Sequence, residues 1–587
     1  MPGKLIRTLY HFCWYSLAAV IILAAVSITL LRMALPDIGI YREDIQVWIS
    51  DYMGYPVEIH DINADWEGWI PNLYLDDIRV INERTGQPLI SFDQASVTLD
   101  LVSSIRRREF IPHRIRVSGL DLSLVRFADG SVSLIRAGED AHTVPEKSRK
   151  NELGQWFRKQ KRIEINNVSV NWLDLQKDLH PVRFTNASIM IHSDGDRMQV
   201  TGSASTDQHH EPAKFEYALD IHGHMHTTDW SGQIYITADR IDPGYWSDYF
   251  RLDKVRFGNT PGKIELWSEW KQAKLVRLDG QVDYNKLDIQ DYLFEHIVGE
   301  VRLSRNRNDD WLVNLNLQEF TTPEGSWPGI TAEIDIPSDN LTMERRLQAH
   351  ISYVKLDDVY NLLGNSEILD RFGLTNYSIG GELNELNLIT DLAADGENFW
   401  IDTGVNHLVL NDENGLQVSG ISGHLSAENG KGLFYLNSDK AEFGLTGYYD
   451  QPLWFYNARG TIDWKTDGDK INIRTDAIRA NTSDFRFNLL TTVEIHRDGE
   501  PYLDLLANIS PVRVESILDY LPQSGTEEIG EWMKNSILGG RLLKTDIVLR
   551  GPVSAFPFSN NEGLFQLITQ IENSTLEYDP EWPPIDN

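Results

Sequence analysis

At 587 residues the chain is long enough for several compact domains or for one extended repeat body. Its net charge of −33 leaves no basic face for nucleic acid and disfavours broad adsorption on an anionic bilayer. The single cysteine, Cys13, excludes an internal disulfide and a cysteine-rich metal site, and does not separate cytosol from periplasm.

Leu9 to Leu31 is apolar apart from His11 and a few small hydroxyl residues. About 23 residues at ~1.5 Å each give a helix on the order of 34 Å, enough to cross a bilayer. Lys4 and Arg7 precede the run, Arg32 follows it, and Tyr10, Phe12, Trp14 and Tyr15 form an aromatic belt at one boundary. The run exceeds a signal-peptide core and no small-x-small site follows it, so an uncleaved anchor is favoured over a cleaved signal. Cys13 lies at its start, which speaks against lipoprotein cleavage. Arg32 and Arg42 nearly balance the charges before the run; the large downstream part favours an inside N-terminus with everything after Pro36 outside.

Tyr41 to Met53 reads as a short amphipathic helix with Ile45, Trp48, Ile49 and Tyr52 on one stripe, closing the first end of a sheet. Trp66 and Trp69 in the turn WEGWIP read as packing residues rather than a ligand box, and Arg106 to Arg108 as a solvated connection.

Ile115 to Leu134 states the pattern that the rest repeats. Apolar residues fall at Ile115 and Val117, skip two positions, and resume at Leu120, Leu122 and Leu124. Alternation marks a strand with one buried face, and the skip at Ser118-Gly119 marks a β-bulge that keeps the apolar set on that face. Asp129-Gly130 then predicts a hairpin turn, with Val132 and Leu134 on the returning strand. Leu73, Leu75, Ile78 and Val80 fit the same template, as do Ile163, Ile165, Val168, Val170 and Trp172, and again Val182, Phe184, Ala187, Ile189 and Ile191. A second unit ends in basic-apolar-acidic: ITADRID at Ile236, VDYNKLD at Val282, ISYVKLD at Ile351 and ISPVRVE at Ile509. Recurrence of this kind belongs to repeat architectures in which no unit buries its own face.

Between the first copies lies Ala137 to Arg162, polar and then basic, with Trp156 and Phe157 inside the basic run; a surface loop with a short helix is favoured over lipid contact. His222, His224 and His226 would share a strand face, but no carboxylate stands at a fixed spacing, so solvated histidines are favoured over a metal site. From Trp230 to about Ser510 the chain predicts a meander punctuated by turns at Asp279-Gly280, Asn414-Gly415, Asn429-Gly430 and Asp467-Gly468. Short helical pieces are expected at Asp291 to Phe294, Asp357 to Leu363 and Ser516 to Leu521. Ser524 and Glu527 predict a capping box for a helix carrying Ile529, Trp532 and Met533, ended by Gly539-Gly540. No nucleophile elbow, zincin, phosphate-loop or EF-hand spacing occurs. No cofactor, metal or catalytic residue is therefore expected. The repeated one-sided strand instead makes Leu73, Leu75, Ile78, Val80, Ile115, Val117, Leu120, Leu122, Leu124, Val132, Leu134, Ile163, Ile165, Val168, Val170 and Trp172 candidate groove-lining residues.

Several stretches, taken in order, resemble the AsmA-like proteins of Gram-negative envelopes. They are the anchor followed by GYPVEIHDINADWEGWIPNLYLDDIRV (Gly54 to Val80), GLDLSLVRFADGSVSL (Gly119 to Leu134), WFRKQKRIEINNVSVNWLD (Trp156 to Asp174), ILDYLP (Ile517 to Pro522) and the segment from Gly551 to Ile585. The chain looks like roughly the first half of longer members. The resemblance implies a mainly β fold: a single N-terminal transmembrane helix, then an elongated, curved antiparallel repeat sheet, a taco-like groove with short interspersed helices. It also implies a chain held in the inner membrane by that helix, its N-terminus cytoplasmic and its bulk periplasmic, passing phospholipid towards the outer membrane.

On that reading residues 1–36 are tail and anchor, 37–135 an N-terminal β region with a capping helix, 136–162 a polar and basic connection, and 163–587 the repeating groove. Roughly 30 strands ~4.8 Å apart would reach on the order of 140 Å. An apolar groove would hold acyl chains at ~0.8 kcal/mol per buried CH₂ without directional contacts. The expected partners are phospholipid, the inner membrane and other outer-membrane or envelope proteins. One rival is a structural or chaperone-like scaffold offering strand edges to outer-membrane precursors; another is a polysaccharide-active enzyme, for which the sequence displays no paired carboxylates.

Overall fold

The computed structural model describes residues 2–53, 55–67, 70–81, 88–100, 104, 106, 112–128, 132–135, 161–176, 179–208, 211–223, 229–249, 257–258, 260–289, 292–337, 346–363, 376–391, 398–496, 499–520, 527–556, 558, 560–578 and 583–586. The chain divides into two compact units, Met1–Tyr284 and Asn285–Asn587.

The first unit opens with α1 (Pro2–Ala34), a 3-10 segment (Leu35–Tyr41) and α2 (Arg42–Met53). Among the described residues no helix is long and apolar enough to cross a membrane. The large apolar side chains described on α1, among them Phe12, Trp14, Leu17, Ile22 and Leu23, are more than half exposed.

The strands of this unit are β1 (Val57–Glu67), β2 (Ile70–Ile81), β3 (Pro88–Leu99), β4 (Pro112–Arg126), β5 (Val132–Ile135), β6 (Arg162–Asp174), β7 (Val182–Asp194), β8 (Arg197–Thr206), β9 (Ala213–His222), β10 (Ser231–Ile241), β11 (Gly262–Lys271) and β12 (Lys274–Ile289). A short helix, α3 (Pro243–Trp246), follows β10, and the boundary between the units falls inside β12. Neighbours pair antiparallel except at β4, where β3 and β5 share one edge and β6 runs parallel along the other. Among the described residues of the unit this parallel pair is the one departure from the expected antiparallel order. It arises because β5 returns along the edge that β3 already uses. The chain re-enters as β6 after a connection of crossover length.

The second unit contains β13 (Tyr292–Arg305), β14 (Trp311–Thr322), β15 (Gly325–Trp327), β16 (Ile330–Ile336), β17 (Leu347–Lys355), α4 (Leu356–Leu363), β18 (Tyr377–Thr390), β19 (Phe399–Asp412), β20 (Leu416–Glu428), β21 (Lys431–Leu445), β22 (Leu453–Asp467), β23 (Lys470–Asn481), β24 (Arg486–His496) and β25 (Tyr502–Ile509). β26 (Val512–Arg513), α5 (Val514–Ile517), α6 (Glu527–Ser536), β27 (Ile537–Leu538), β28 (Arg541–Pro552), β29 (Leu564–Glu572), β30 (Thr575–Leu576) and β31 (Ile585–Asp586) complete it. Among the described residues all its pairings are antiparallel, and β27, β30 and β31 form a separate small sheet.

Each of the four template copies carries a backbone kink at its skip. Asp77, Gly119, Asn167 and Asn186 all have positive φ, at 48°, 72°, 54° and 50°. A residue in this region absorbs the extra position and returns the next apolar side chain to the same face, so Gly, Asn and Asp recur there. The returning strand β5 pairs as expected, Leu124 opposite Leu134 and Arg126 opposite Val132. The turn residues Asp129 and Gly130 lie outside the described residues, as do His224, His226, Trp69, Ser524 and the segment 136–160.

Three of the four anticipated turns are turns: Gly415, Gly430 and Gly468 have positive φ between paired strands. Asp279-Gly280 is not. It lies inside β12, opposite Trp267 and Leu266. The true hairpin is Gln272-Ala273, both at positive φ, which joins Lys271 to its partner Lys274. Two residues without the usual Gly or Asn adopt the turn because the paired strands on either side impose it.

The helical expectation at Asp291 to Phe294 is also corrected, since Tyr292 to Phe294 begin β13. Aromatic residues favour a strand, and four residues cannot nucleate a helix alone. α4, α5 and α6 form where helices were expected.

α2 closes the first edge by chemistry as well as by packing. Gln46 Oε1 accepts from the Ile59 N–H at 3.1 Å, Ser50 Oγ accepts from the Val57 N–H at 2.9 Å, and Arg42 donates to the His60 carbonyl at 3.1 Å. The open groups of edge strand β1 are thus capped. Ile45 and Ile49 pack onto the core, whereas Trp48 stays exposed and Tyr52's side chain lies outside the described set.

Candidate functional site

In the first unit the bulges hold one apolar row in register across eleven strands: Ile62, Leu75, Ala95, Val117, Ile165, Ile189, Gly202, Tyr217, Ile236, Leu266 and Gly280, each opposite the next. A parallel row runs Ile191, Val200, Leu219, Ile234, Ser268 and Leu278. Opposed side chains on one face are the stabilising unit of a sheet, so the rows form a continuous apolar surface.

That surface has two parts. From β1 to β6 it is closed: Leu75, Ile78, Val80, Ile115, Val117, Leu120, Ile163, Ile165 and Val168 are buried in one cluster with Val57, Ile59 and Ile62, and α2 lies against it through Ile45 and Ile49. Leu73, Leu122 and Val170 are half-buried against the same cluster. Leu124 and Trp172 are half-buried and directly opposed. Of Val132 and Leu134 only the strand pairing is described.

From β7 to β12 the same face is more open. Ile189, Val200, Tyr217, Leu219, Ile234, Ile236, Leu266, Leu278 and Val282 are all half-buried. Sequence reasoning singled out Ile189 of these as part of a template copy, and Ile236 and Val282 as the openings of the second repeat unit. The rest lie on strands whose alternation is weaker.

The second repeated motif shapes one margin of this face. ITADRID ends β10 with Asp242, whose carboxylate accepts from Gly244 N and Tyr245 N at 2.9 and 3.4 Å and so starts α3. Trp246 of α3 then lies by Phe184 and Phe215, and Tyr245 and Tyr249 lie edge-on to His180. Burial, then nearby negative charge, pushes the Tyr249 hydroxyl up to about 12. In the second unit ISYVKLD plays the same part. Asp358 of α4 is buried and accepts from Tyr292 Oη, Thr322 Oγ1 at 3.0 Å and Trp327 Nε1 at 2.5 Å, while Asp357 accepts from Gly381 N at 3.0 Å. ISPVRVE leads into α5, where Val514 and Ile517 join Phe485, Met533 and Leu542 in a closed cluster.

The second unit repeats the row. Thr403, Leu425, Phe434, Ile462, Thr475, Thr491, Leu505, Leu549 and Phe565 oppose one another in turn from β19 to β29. Buried threonines on the apolar face went unrecognised in the sequence. Thr206 Oγ1 donates to the Arg183 carbonyl at 2.9 Å at the end of β8, and Thr403 Oγ1 to the Asn384 carbonyl at 3.0 Å where a bulge disturbs the ladder.

The opposite face carries ion pairs beside apolar groups such as Val125 and Leu173. Arg197 pairs with Asp220, Arg277 with Asp279, and Arg550 with Asp504. Glu164, only 8% exposed, is surrounded by Arg114, Arg116 and Arg162. Burial alone would raise its carboxyl, but the Arg116 hydrogen bond and the three guanidinium charges outweigh this and hold it below the usual range. A cavity of about 350 Å³ on this side is lined by Met190, His192, Tyr235 and Trp267 among others. No group of residues able to hold a metal occurs among the described residues.

The family model described as YhdP protein matches residues 1–587. A curated relative from Escherichia coli (strain K12), the intermembrane phospholipid transporter YhdP, is 22% identical over 606 aligned residues, covering 97% of this chain and 45% of the relative. The chain thus spans less than half of that relative's length. No solved structure matches the chain.

Proposed function

The chain belongs to the YhdP family, and from that premise we propose that it is the membrane-anchored part of a non-enzymatic conduit that carries phospholipid between inner and outer membrane. The observation that carries this reading is the in-register apolar row of the first unit, half-buried from β7 to β12. Acyl chains laid on it would gain ~0.8 kcal/mol per CH₂ removed from water. Because Ile189, Tyr217, Ile236 and Leu266 offer similar surface at each step, no position would trap the lipid strongly. Leu75, Val117, Ile165 and the other buried candidates would form the closed floor at which the conduit begins, with Leu124 and Trp172 at its margin.

The anchor in this proposal is α1. Its 33 residues at ~1.5 Å each reach about 50 Å, and its apolar side chains are exposed on several sides. In this proposal the N-terminus is cytoplasmic and the bulk periplasmic, as for an inner-membrane anchor followed by a large translocated part. The test is native mass spectrometry of the full chain extracted from an envelope fraction, with lipid identification. Several phospholipids per chain support the conduit; a correctly folded, lipid-free chain overturns it and favours the strand-edge scaffold.

A further inference from the structure

We propose that Arg114, Arg116 and Arg162 form a docking surface for the anionic head groups of the bilayer that holds α1. Three guanidinium groups converge on one carboxylate: Arg116 and Arg162 lie 3.0 and 2.9 Å from Glu164, and Arg114 Nε lies 3.4 Å away without an aligned hydrogen bond. One carboxylate against three guanidinium groups leaves two positive charges over. The side chains of Arg116 and Arg162 remain 48% and 37% exposed, so this surplus faces solvent.

The neighbours do not neutralise it. Across the strands at this level the outward positions are Ser96 and Thr98 on β3, Met190 and His192 on β7, and Thr201 and Gln199 on β8. None is acidic, in a chain whose net charge is −33. A local cationic face on so acidic a body is unexpected for solubility alone and complements a negative surface. The sequence leading into Arg162, from Glu146 to Lys161, is itself rich in Lys and Arg.

Position selects the bilayer as the negative surface. The 3-10 segment that continues α1 meets the sheet at Ile62, where Gly39 approaches the Ile62 carbonyl and Ile38 joins the core. Through the ladder Ile62 is level with Val117 and Ile165, one residue from Arg116 and Glu164. The cationic cluster therefore stands at the height where the 3-10 segment meets the sheet, three strand spacings away on β4 and four on β6, about 14 to 19 Å. The inference rests on α1 being a membrane anchor.

The test places a bimane label on Ser96→Cys in a Cys13→Ser background of the full chain. The protein is reconstituted in nanodiscs of phosphatidylcholine alone or with phosphatidylglycerol, each containing a headgroup-spin-labelled quencher lipid. Two surplus charges predict a docked-to-undocked ratio roughly 30-fold higher in the anionic discs. That difference should vanish in 1 M salt, where the Debye length is ~3 Å, and in the R116Q/R162Q variant, which leaves Arg114 and Glu164 as one balanced pair. Equal quenching in both discs, or a difference that survives both treatments, overturns the docking surface. So does loss of the difference on adding soluble glycerol 3-phosphate, which would make the cluster a site for a free phosphate. A chain that enters neither disc overturns the anchor and this inference with it.

Discussion

Gly119 and Asn167 occupy the same register position on the parallel strands β4 and β6, between the pairs Ser118–Asn166 and Leu120–Val168, and both have positive φ. Two bulges side by side let the apolar sets of two repeat copies stay on one face, from Ile115 opposite Ile163 to Leu124 opposite Trp172.

Gly119→Val should lower stability by at least about 2 kcal/mol, because a β-branched residue resists positive φ and a Cβ here would stand 1.9 Å from Asp93 Oδ2. Asn167→Gly should change it by no more than about 0.5 kcal/mol. Urea unfolding of both variants checks this; equal losses would mean the bulges are not what holds the register.

Leu219→Asp with Ile234→Asp should reduce the number of phospholipids that co-purify while leaving the sheet folded, since both side chains are half-buried on the more open part of the face. Leu122→Asp with Val170→Asp should instead destabilise the first unit, because both pack on its core cluster. Circular dichroism and native mass spectrometry separate the two effects. Unchanged lipid content in the first pair would remove the open strands from the conduit.

Asp358→Asn should cost about 2 kcal/mol and loosen α4, because an amide brings its own donors to a site where Tyr292, Thr322 and Trp327 all donate. Hydrogen exchange over 356–363 reports it. Faster exchange confined to α4 and β15 is expected; unaltered exchange would show the carboxylate is not the latch.

Gln46→Ala with Ser50→Ala should uncap β1 at about 1 kcal/mol per lost hydrogen bond and expose an edge that pairs with a second chain. Sedimentation velocity should then show concentration-dependent dimers. A strictly monomeric double variant would mean that the packing of Ile45 and Ile49 protects the edge by itself.

The depressed carboxyl of Glu164 predicts acid sensitivity in the first unit. Its contribution is present above the unfolded value near 4.5 and is lost as pH falls through the lower folded value. Thermal melts between pH 7 and 3 should show wild type losing stability over this acid range more steeply than E164Q. Parallel curves would place the acid response elsewhere.

The strands, their inward face and their kinks were legible in the sequence because they are local. Ile115, Val117, Leu120 and Leu122 announce both the period of two and the skip, and the residues that tolerate positive φ stand at the skip in each copy. Turn chemistry was legible only where the turn residues choose the conformation. Asn429-Gly430 does so, whereas Gln272-Ala273 is forced by its flanking strands and Asp279-Gly280 is overridden by pairing with Trp267 and Leu266. Which strands become neighbours is not written in any one of them, because all alternate alike; only the folded chain sets β6 parallel to β4. Nor could the pattern tell core from open surface. Leu75 and Leu219 look the same in sequence, and the difference between them is α2, whose side chains reach β1 and the cluster behind it but not β9. Periodicity reports which way a side chain points, while burial depends on what the rest of the chain brings to that side.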